Sequence, residues 1–106
     1  MKILLINPPT FNMITSALPG VIEEERGVNP PLGILYIAGY LRKFTDHEVE
    51  MFDTQLEKSS YEEIEERIKK SNPDAVGITA MTFTIIDVIK ICKIIKNFNP
   101  NIKVIL

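Results

Sequence analysis

The chain has 106 residues, of which 45% are hydrophobic and 25% charged, so we expect a single folded domain over residues 1–106. Twelve basic and fourteen acidic residues give a net charge of −2, a balance that indicates no nucleic-acid partner. The single cysteine, Cys92, excludes a disulfide framework and any multi-cysteine metal or iron–sulfur site within the chain. No apolar run reaches the ~18 residues of a membrane span and no signal peptide is visible, so we expect a cytoplasmic protein with no membrane partner.

Short apolar segments predict β-strands at residues 2–6, 47–53, 75–79 and 102–106. The first segment is apolar throughout, which is typical of a strand buried on both faces of a sheet. The last two segments each follow an Asn-Pro pair, which also ends the preceding helix because a residue before proline disfavours helical geometry.

Helical patterns separate the strands at residues 31 to about 43, about 61–70 and about 85–97. We expect Ser59 or Ser60 to cap the second helix, and Thr84 with Asp87 to form a capping box on the third. The first helix carries a wide apolar face made of Leu32, Ile34, Leu35, Ile37, Ala38 and Leu41. The core-facing residues predicted for the third helix are Ile85, Val88, Ile89, Cys92 and Ile95.

The alternation of strands and helices predicts an α/β fold with a parallel sheet and helices on both faces. We expect the flavodoxin-like (Rossmann-like) strand order 2-1-3-4 in a three-layer α/β/α arrangement. Ligands bind such sheets beyond the carboxyl ends of the strands where the order reverses, here between strands 1 and 3. This edge is formed by Asn7-Pro8-Pro9 and by Thr79-Ala80-Met81-Thr82-Phe83. Residues 10–29 are long for a βα connection, and such loops are usually functional.

Several common chemistries do not fit this edge. Asn7-Pro8-Pro9 provides neither the glycine-rich turn of a dinucleotide or Walker phosphate site nor the paired acids of a phosphotransfer receiver. We interpret Asp53 as a strand-end turn residue, His47 as a solvated residue and Cys92 as an inert thiol on an apolar stripe. No nucleophile–base pair and no metal-ligand spacing is present, so the residues alone indicate a binding domain without catalytic residues.

Three strings then carry a resemblance: KILLINPP at residues 2–9, PPLG at residues 30–33 and PDAVGIT at residues 73–79. In this order and spacing they resemble the cobalamin-binding domain that precedes many radical S-adenosylmethionine (SAM) catalytic domains. The resemblance implies that cobalamin lies against the carboxyl edge of the sheet, with its nucleotide tail running into the side of the sheet.

The resemblance also assigns roles to single residues. Thr79 and Met81 stand where many cobalamin domains have Ser-x-Leu, a hydroxyl and an apolar side chain that line the tail pocket. Gly33 matches the last glycine of the Asp-x-His-x-x-Gly motif, whose aspartate and histidine positions fall on Val28 and Pro30, so no axial histidine is implied. The candidate cofactor-binding residues from both arguments are Asn7, Pro8, Pro9, Gly33, Thr79, Met81 and Thr82.

By the same resemblance, the parent protein would carry SAM and a 4Fe-4S cluster in a C-terminal radical SAM domain, and would transfer a methyl group or rearrange a substrate. Because the chain stops within an apolar run, we expect a domain fragment that lacks its last βα unit. One alternative is a non-catalytic α/β docking or dimerisation module that binds no cofactor and self-associates through the edge of the fourth strand. A second alternative is a flavodoxin-like binder of another small ligand.

Overall fold

A computed structural model of the chain describes residues 1–14 and 31–106. In chain order the elements are β1 (Lys2–Asn7), α1 (Leu32–Phe44), β2 (Glu48–Asp53), α2 (Thr54–Glu57), α3 (Tyr61–Ser71), β3 (Ala75–Ile78), a 3₁₀ turn (Thr82–Thr84), α4 (Ile85–Phe98) and β4 (Lys103–Ile105). The predicted strands and long helices are therefore present, with bounds that differ by at most one residue at each end, as helix and strand ends commonly do.

The sheet has four parallel strands in the order β2-β1-β3-β4, which confirms the predicted flavodoxin-like order. Strand β1 lies at its centre, where Leu4 pairs with Glu50 of β2 on one side and with Val76 of β3 on the other. Leu4, Leu5 and Ile6 are all buried, as expected of a strand covered on both faces.

Helices cover both faces of the sheet and divide the core into two clusters. The larger cluster lies between the sheet and helices α3 and α4, and the smaller one lies between the sheet and α1. The larger contains Leu4, Ile6, Phe52, Ile64, Ile68, Val76, Ile78, Val88, Ile91, Ile95 and Ile102. The smaller contains Leu5, Ile34, Ala38 and Val49. The three-layer α/β/α prediction is thereby confirmed, and the described part of the chain contains no helix with the length and apolar character needed to cross a membrane.

Two predictions about helix faces need correction. Only Ile34 and Ala38 of the wide apolar face of α1 are buried, whereas Leu32 remains 63% exposed. The physical reason is that α1 packs on the flat sheet through one stripe, so the flanks of its apolar face stay outside. On α4, Ile91 takes the core position predicted for Ile89, because the buried stripe runs through Val88 and Ile91.

The helix starts also differ from one prediction. Ser60 caps α3 as predicted, since its hydroxyl accepts a hydrogen bond from the Glu63 amide at 3.3 Å. The capping box predicted for Thr84 with Asp87 is wrong, because the Thr84 side chain makes no capping bond and bonds to Met81 instead. The short helix α2 was not predicted, and Asp53 caps it, in agreement with its interpretation as a strand-end turn residue.

Candidate functional site

The carboxyl ends of β1 and β3 lie side by side, as the strand order requires. Ile6 pairs with Ile78, and the Thr79 amide donates a hydrogen bond to the Ile6 carbonyl at 3.2 Å. The two segments predicted to flank a ligand therefore meet at one edge of the sheet, where the strand order reverses.

Asn7, Pro8 and Pro9 form the buried floor of this edge. The Asn7 carbonyl accepts a hydrogen bond from the Thr54 hydroxyl at 2.7 Å, and the Pro8 carbonyl accepts one from the Gln55 side chain at 2.9 Å. These contacts attach the end of β1 to the start of α2. Asn7, Pro8 and Pro9, which are three of the predicted cofactor-binding residues, therefore lie beneath the edge. Asn7 is only 8% exposed.

The segment after β3 rises from this floor to the surface. Thr79 is half-buried, while Met81 and Thr82 are exposed. Met81 belongs to a group of exposed apolar residues at this edge, which we call the rim: Phe11, Ile14, Met81 and Phe83. The Ile14 amide donates to the Phe83 carbonyl at 3.0 Å, so the loop after β1 is attached to the loop after β3.

A buried polar network lies behind the rim and was missed by the sequence analysis. The Asp87 carboxylate accepts hydrogen bonds from the Asn12 backbone amide and from the Asn12 side chain, both at 3.0 Å, and a further one from the Tyr61 hydroxyl. Burial, followed by the hydrogen bond to Asp87, raises the pKa of Tyr61. The available signal was that Asp87 lies four residues before Ile91, on the inward stripe of α4, where a polar residue needs partners.

Glycines mark the other face of the site. Gly33 lies in the first turn of α1, which leads from the carboxyl end of β1 towards the amino end of β2, so Gly33 lies on the carboxyl side. A Cβ atom on Gly33 would have no neighbour within 4 Å. A second glycine, Gly77, lies in β3 on the α1 side of the sheet, where a Cβ atom would come within 2.8 Å of Leu5 Cδ2.

Because Gly77 has no side chain, Leu5 packs against the backbone of β3 and takes the space that a Cβ atom would need. The partner of Gly77 on β4, Ile105, is 63% exposed, so the sheet face next to this contact is open to solvent. No role was predicted for Gly77 from the sequence, where it is one residue of the PDAVGIT string. A glycine inside a strand often marks the close approach of a ligand or another part of the protein.

Other residues weighed from the sequence lie away from this edge. His47 is exposed and precedes β2, at the amino edge of the sheet. Cys92 is half-buried, and this burial raises the pKa of its thiol, in keeping with an inert role. Val28 and Pro30 lie outside the described residues, as does most of the long loop at residues 10–29. Within the described ranges no group of three acidic, histidine or cysteine residues is placed to hold a metal ion.

The chemistry of the edge is therefore that of binding. The predicted site residues offer hydroxyls at Thr79 and Thr82, apolar surface at Met81, and backbone left open at Gly33. None of them titrates near neutral pH, so they supply no acid, base or nucleophile. The exposed apolar rim next to these groups suits a large ligand with apolar surface.

Comparisons with known protein families and with curated proteins found relatives of the chain. A protein family described as "B12 binding domain" matches residues 19–106. The chain is 40% identical to an uncharacterized methyltransferase of Pyrococcus horikoshii over 106 residues, all of this chain and 21% of that protein. It is 34% identical to the anaerobic magnesium-protoporphyrin IX monomethyl ester cyclase of Rubrivivax gelatinosus over 83 residues, 78% of this chain and 15% of that protein.

The chain spans about a fifth or less of the length of these curated relatives. No solved structure matches it. The family match covers most of the chain, including β1's partner strands, α1 with Gly33, and the segment after β3. The chain belongs to the B12-binding domain family.

Proposed function

We propose that the chain binds cobalamin across the carboxyl edge of its sheet. The observation that carries this proposal is that the carboxyl ends of β1 and β3 meet where the strand order reverses, next to the exposed apolar rim, in a chain that belongs to the B12-binding domain family. Gly33, in the exposed first turn of α1 on the same carboxyl side, leaves the start of this helix open to a large ligand.

Different residues around the edge would contact different parts of cobalamin. Thr79 and Met81 provide a hydroxyl and an apolar side chain after the carboxyl end of β3, and Gly33 leaves the first turn of α1 open to close approach. The rim provides apolar surface for the broad part of the ligand, while Asn7 supports the edge from below. When bound, cobalamin supplies the cobalt–carbon chemistry that the side chains of this edge lack.

The test compares two exposed glycines of the same helix. Gly33 and Gly39 both lie in α1, and a Cβ atom on either would meet nothing within 4 Å. Replacing either by alanine should therefore leave the fold intact and stabilise the helix by up to about 1 kcal/mol. Only Gly33 lies at the proposed site, so only Gly33→Ala should weaken binding, by about tenfold.

Binding is measured by titrating hydroxocobalamin into the chain, with the visible absorbance and equilibrium dialysis as parallel readouts. We expect saturable binding by the wild type and by Gly39→Ala, and weaker binding by Gly33→Ala. Absence of a spectral shift and of retained ligand at saturating hydroxocobalamin would show the proposed function to be wrong. Equal affinities for the two variants would remove Gly33 from the site.

We further propose that the parent protein is a cobalamin-dependent radical SAM enzyme, a methyltransferase or a related radical enzyme. One relative is named as a methyltransferase, and this chain corresponds to only 21% of its length, which leaves room for a catalytic domain elsewhere in such a protein. In this proposal, SAM and a 4Fe-4S cluster belong to a C-terminal radical SAM domain of the parent protein. That domain would be the first partner of this chain. A purified full-length parent should show iron–sulfur absorbance and SAM cleavage; iron-free protein after anaerobic reconstitution would contradict the proposal.

A second function, docking or dimerisation, is favoured by the edge of β4. Ile105 and Leu106 are 63% and 66% exposed. Among the described residues, β4 pairs with β3 on one side and is the last strand of the sheet. Such an edge offers backbone groups and apolar side chains to another strand. Light scattering over a concentration series should show self-association that Ile105→Lys reduces, whereas a wild-type monomer at every concentration would exclude dimerisation through this edge.

A further inference from the structure

The Asp87 carboxylate is fully buried, with an exposed fraction of 0%. Burying a carboxylate is costly unless donors replace its water, and here those donors come from Asn12 and Tyr61. Asp87 also lies in the first turn of α4, where the helix dipole favours a negative charge. None of the ion pairs among the described residues involves it, so hydrogen bonds and the helix terminus hold this charge.

These contacts join three segments that meet at the carboxyl edge. Asn12 belongs to the loop after β1, Tyr61 begins α3, and Asp87 begins α4 after β3. Asn12 lies between Phe11 and Ile14 of the rim. The ring of Phe11 packs edge-on against Tyr61 with centroids 5.5 Å apart, and the backbone of Ile14 bonds to Phe83. The position of the rim therefore depends on where Asn12 is held.

We propose that Asp87 is a positioning residue of the cobalamin site, which fixes the loop after β1 through Asn12 and so sets the affinity of the edge for its ligand. This inference rests on the proposed function. Asp87 does not reach the ligand itself, because its carboxylate is enclosed by Asn12 and Tyr61.

The test exchanges amide and carboxylate. Asp87→Asn keeps the shape but places an NH₂ group where one oxygen accepts from Asn12, so two donors face each other. We expect this variant to lose about tenfold in hydroxocobalamin affinity, as the loss of one charge-assisted hydrogen bond implies. The double variant Asn12→Asp/Asp87→Asn restores one donor and one acceptor across the pair, and should recover most of the affinity.

A second readout does not depend on cobalamin. Hydrogen exchange of the Asn12 and Ile14 amides in the free chain should speed up at least tenfold in Asp87→Asn and slow again in the double variant. Tyr61→Phe is the variant to use if Asp87→Asn folds poorly, because it keeps the ring against Phe11 and removes only the hydroxyl. Its Asn12 and Ile14 amides should exchange at rates between those of the wild type and those expected for Asp87→Asn.

The outcomes separate the two proposals. Faster exchange together with weaker binding, both reversed in the double variant, supports positioning by Asp87. Unchanged exchange in folded Asp87→Asn overturns it, as does weaker protection with unaltered affinity. If the wild type binds no hydroxocobalamin, the proposed function fails, and so does the ligand part of this inference, while the exchange data still decide whether Asp87 fixes the loop.

Discussion

The side-chain amide of Asn7 donates a hydrogen bond to the Asp53 carboxylate at 2.9 Å and thereby joins the carboxyl ends of β1 and β2. The same Asp53 oxygen accepts from the backbone amides of Gln55 and Leu56 at 3.2 and 3.3 Å, so it also caps α2. One carboxylate thus connects a strand end, a neighbouring strand and a helix start. These bonds attach the floor of the site to β2 and α2.

We expect Asp53→Ala to lower the free energy of unfolding by about 1–3 kcal/mol, because it removes a helix cap and leaves the buried Asn7 amide without its partner. Asp53→Asn keeps an oxygen for the cap and should cost less. Urea unfolding followed by circular dichroism measures both values. Equal stability of Asp53→Ala and the wild type would show that the pair contributes nothing to the edge.

The contact between Gly77 and Leu5 leads to a prediction about packing. Gly77→Ala places a Cβ atom 2.8 Å from Leu5 Cδ2, and Leu5 is only 4% exposed, so we expect a loss of about 1–3 kcal/mol from overpacking. In a Leu5→Ala background the clash disappears, and the same substitution should then cost little. Urea unfolding of the four proteins in this cycle gives the coupling. An equal cost of Gly77→Ala in both backgrounds would contradict the steric explanation.

The layered fold could be predicted because its signals are local. The apolar run of β1 and the Asn-Pro pairs are short patterns whose physical causes act within a few residues. Strand order then followed from the handedness of parallel connections and from the flavodoxin-like precedent. Much of the described fold was therefore accessible from the sequence.

The site was only partly accessible, because its decisive contacts are far apart in sequence. Asp87 lies close to Thr84, so a local capping box was the natural prediction, but its carboxylate bonds to Asn12, 75 residues away. The bond from the Asn7 side-chain amide to Asp53, 46 residues away at the end of the neighbouring strand, was likewise not predicted. Choosing between a local and a distant partner requires the tertiary structure, which propensity and spacing do not contain.

The ion pair between Lys2 and Glu50 predicts a pH dependence. Lys2 Nζ lies 3.1 Å from Glu50 Oε1, and this contact lowers the pKa of Glu50 in the folded chain. A lowered folded pKa means that the stabilisation is present above the unfolded value of about 4.3 and is lost as the pH falls through the folded value. The contribution should be at most ~1 kcal/mol, as for other partly exposed pairs.

Glu50→Gln provides the comparison for this effect. We expect urea midpoints of wild type and Glu50→Gln to differ at pH 7 and to converge as the pH falls through the lowered folded pKa of Glu50, because both side chains are neutral below it. Lys2→Met should give the same convergence from the other partner. A difference that stays constant across this range would show that Glu50 acts through something other than its charge.

Tyr61 predicts a pH dependence at the alkaline end. Burial and the hydrogen bond to Asp87 raise the pKa of Tyr61, so the folded chain keeps this proton where the unfolded chain, with a tyrosine pKa of about 10, releases it. The unfolded state then binds fewer protons, and stability falls as the pH rises above about 10. Tyrosinate absorbance at alkaline pH, taken as the difference between wild type and Tyr61→Phe, isolates this group. We expect its ionisation only at higher pH than in urea, and earlier ionisation in Asp87→Asn; the same midpoint in folded and unfolded chains would contradict the buried contact.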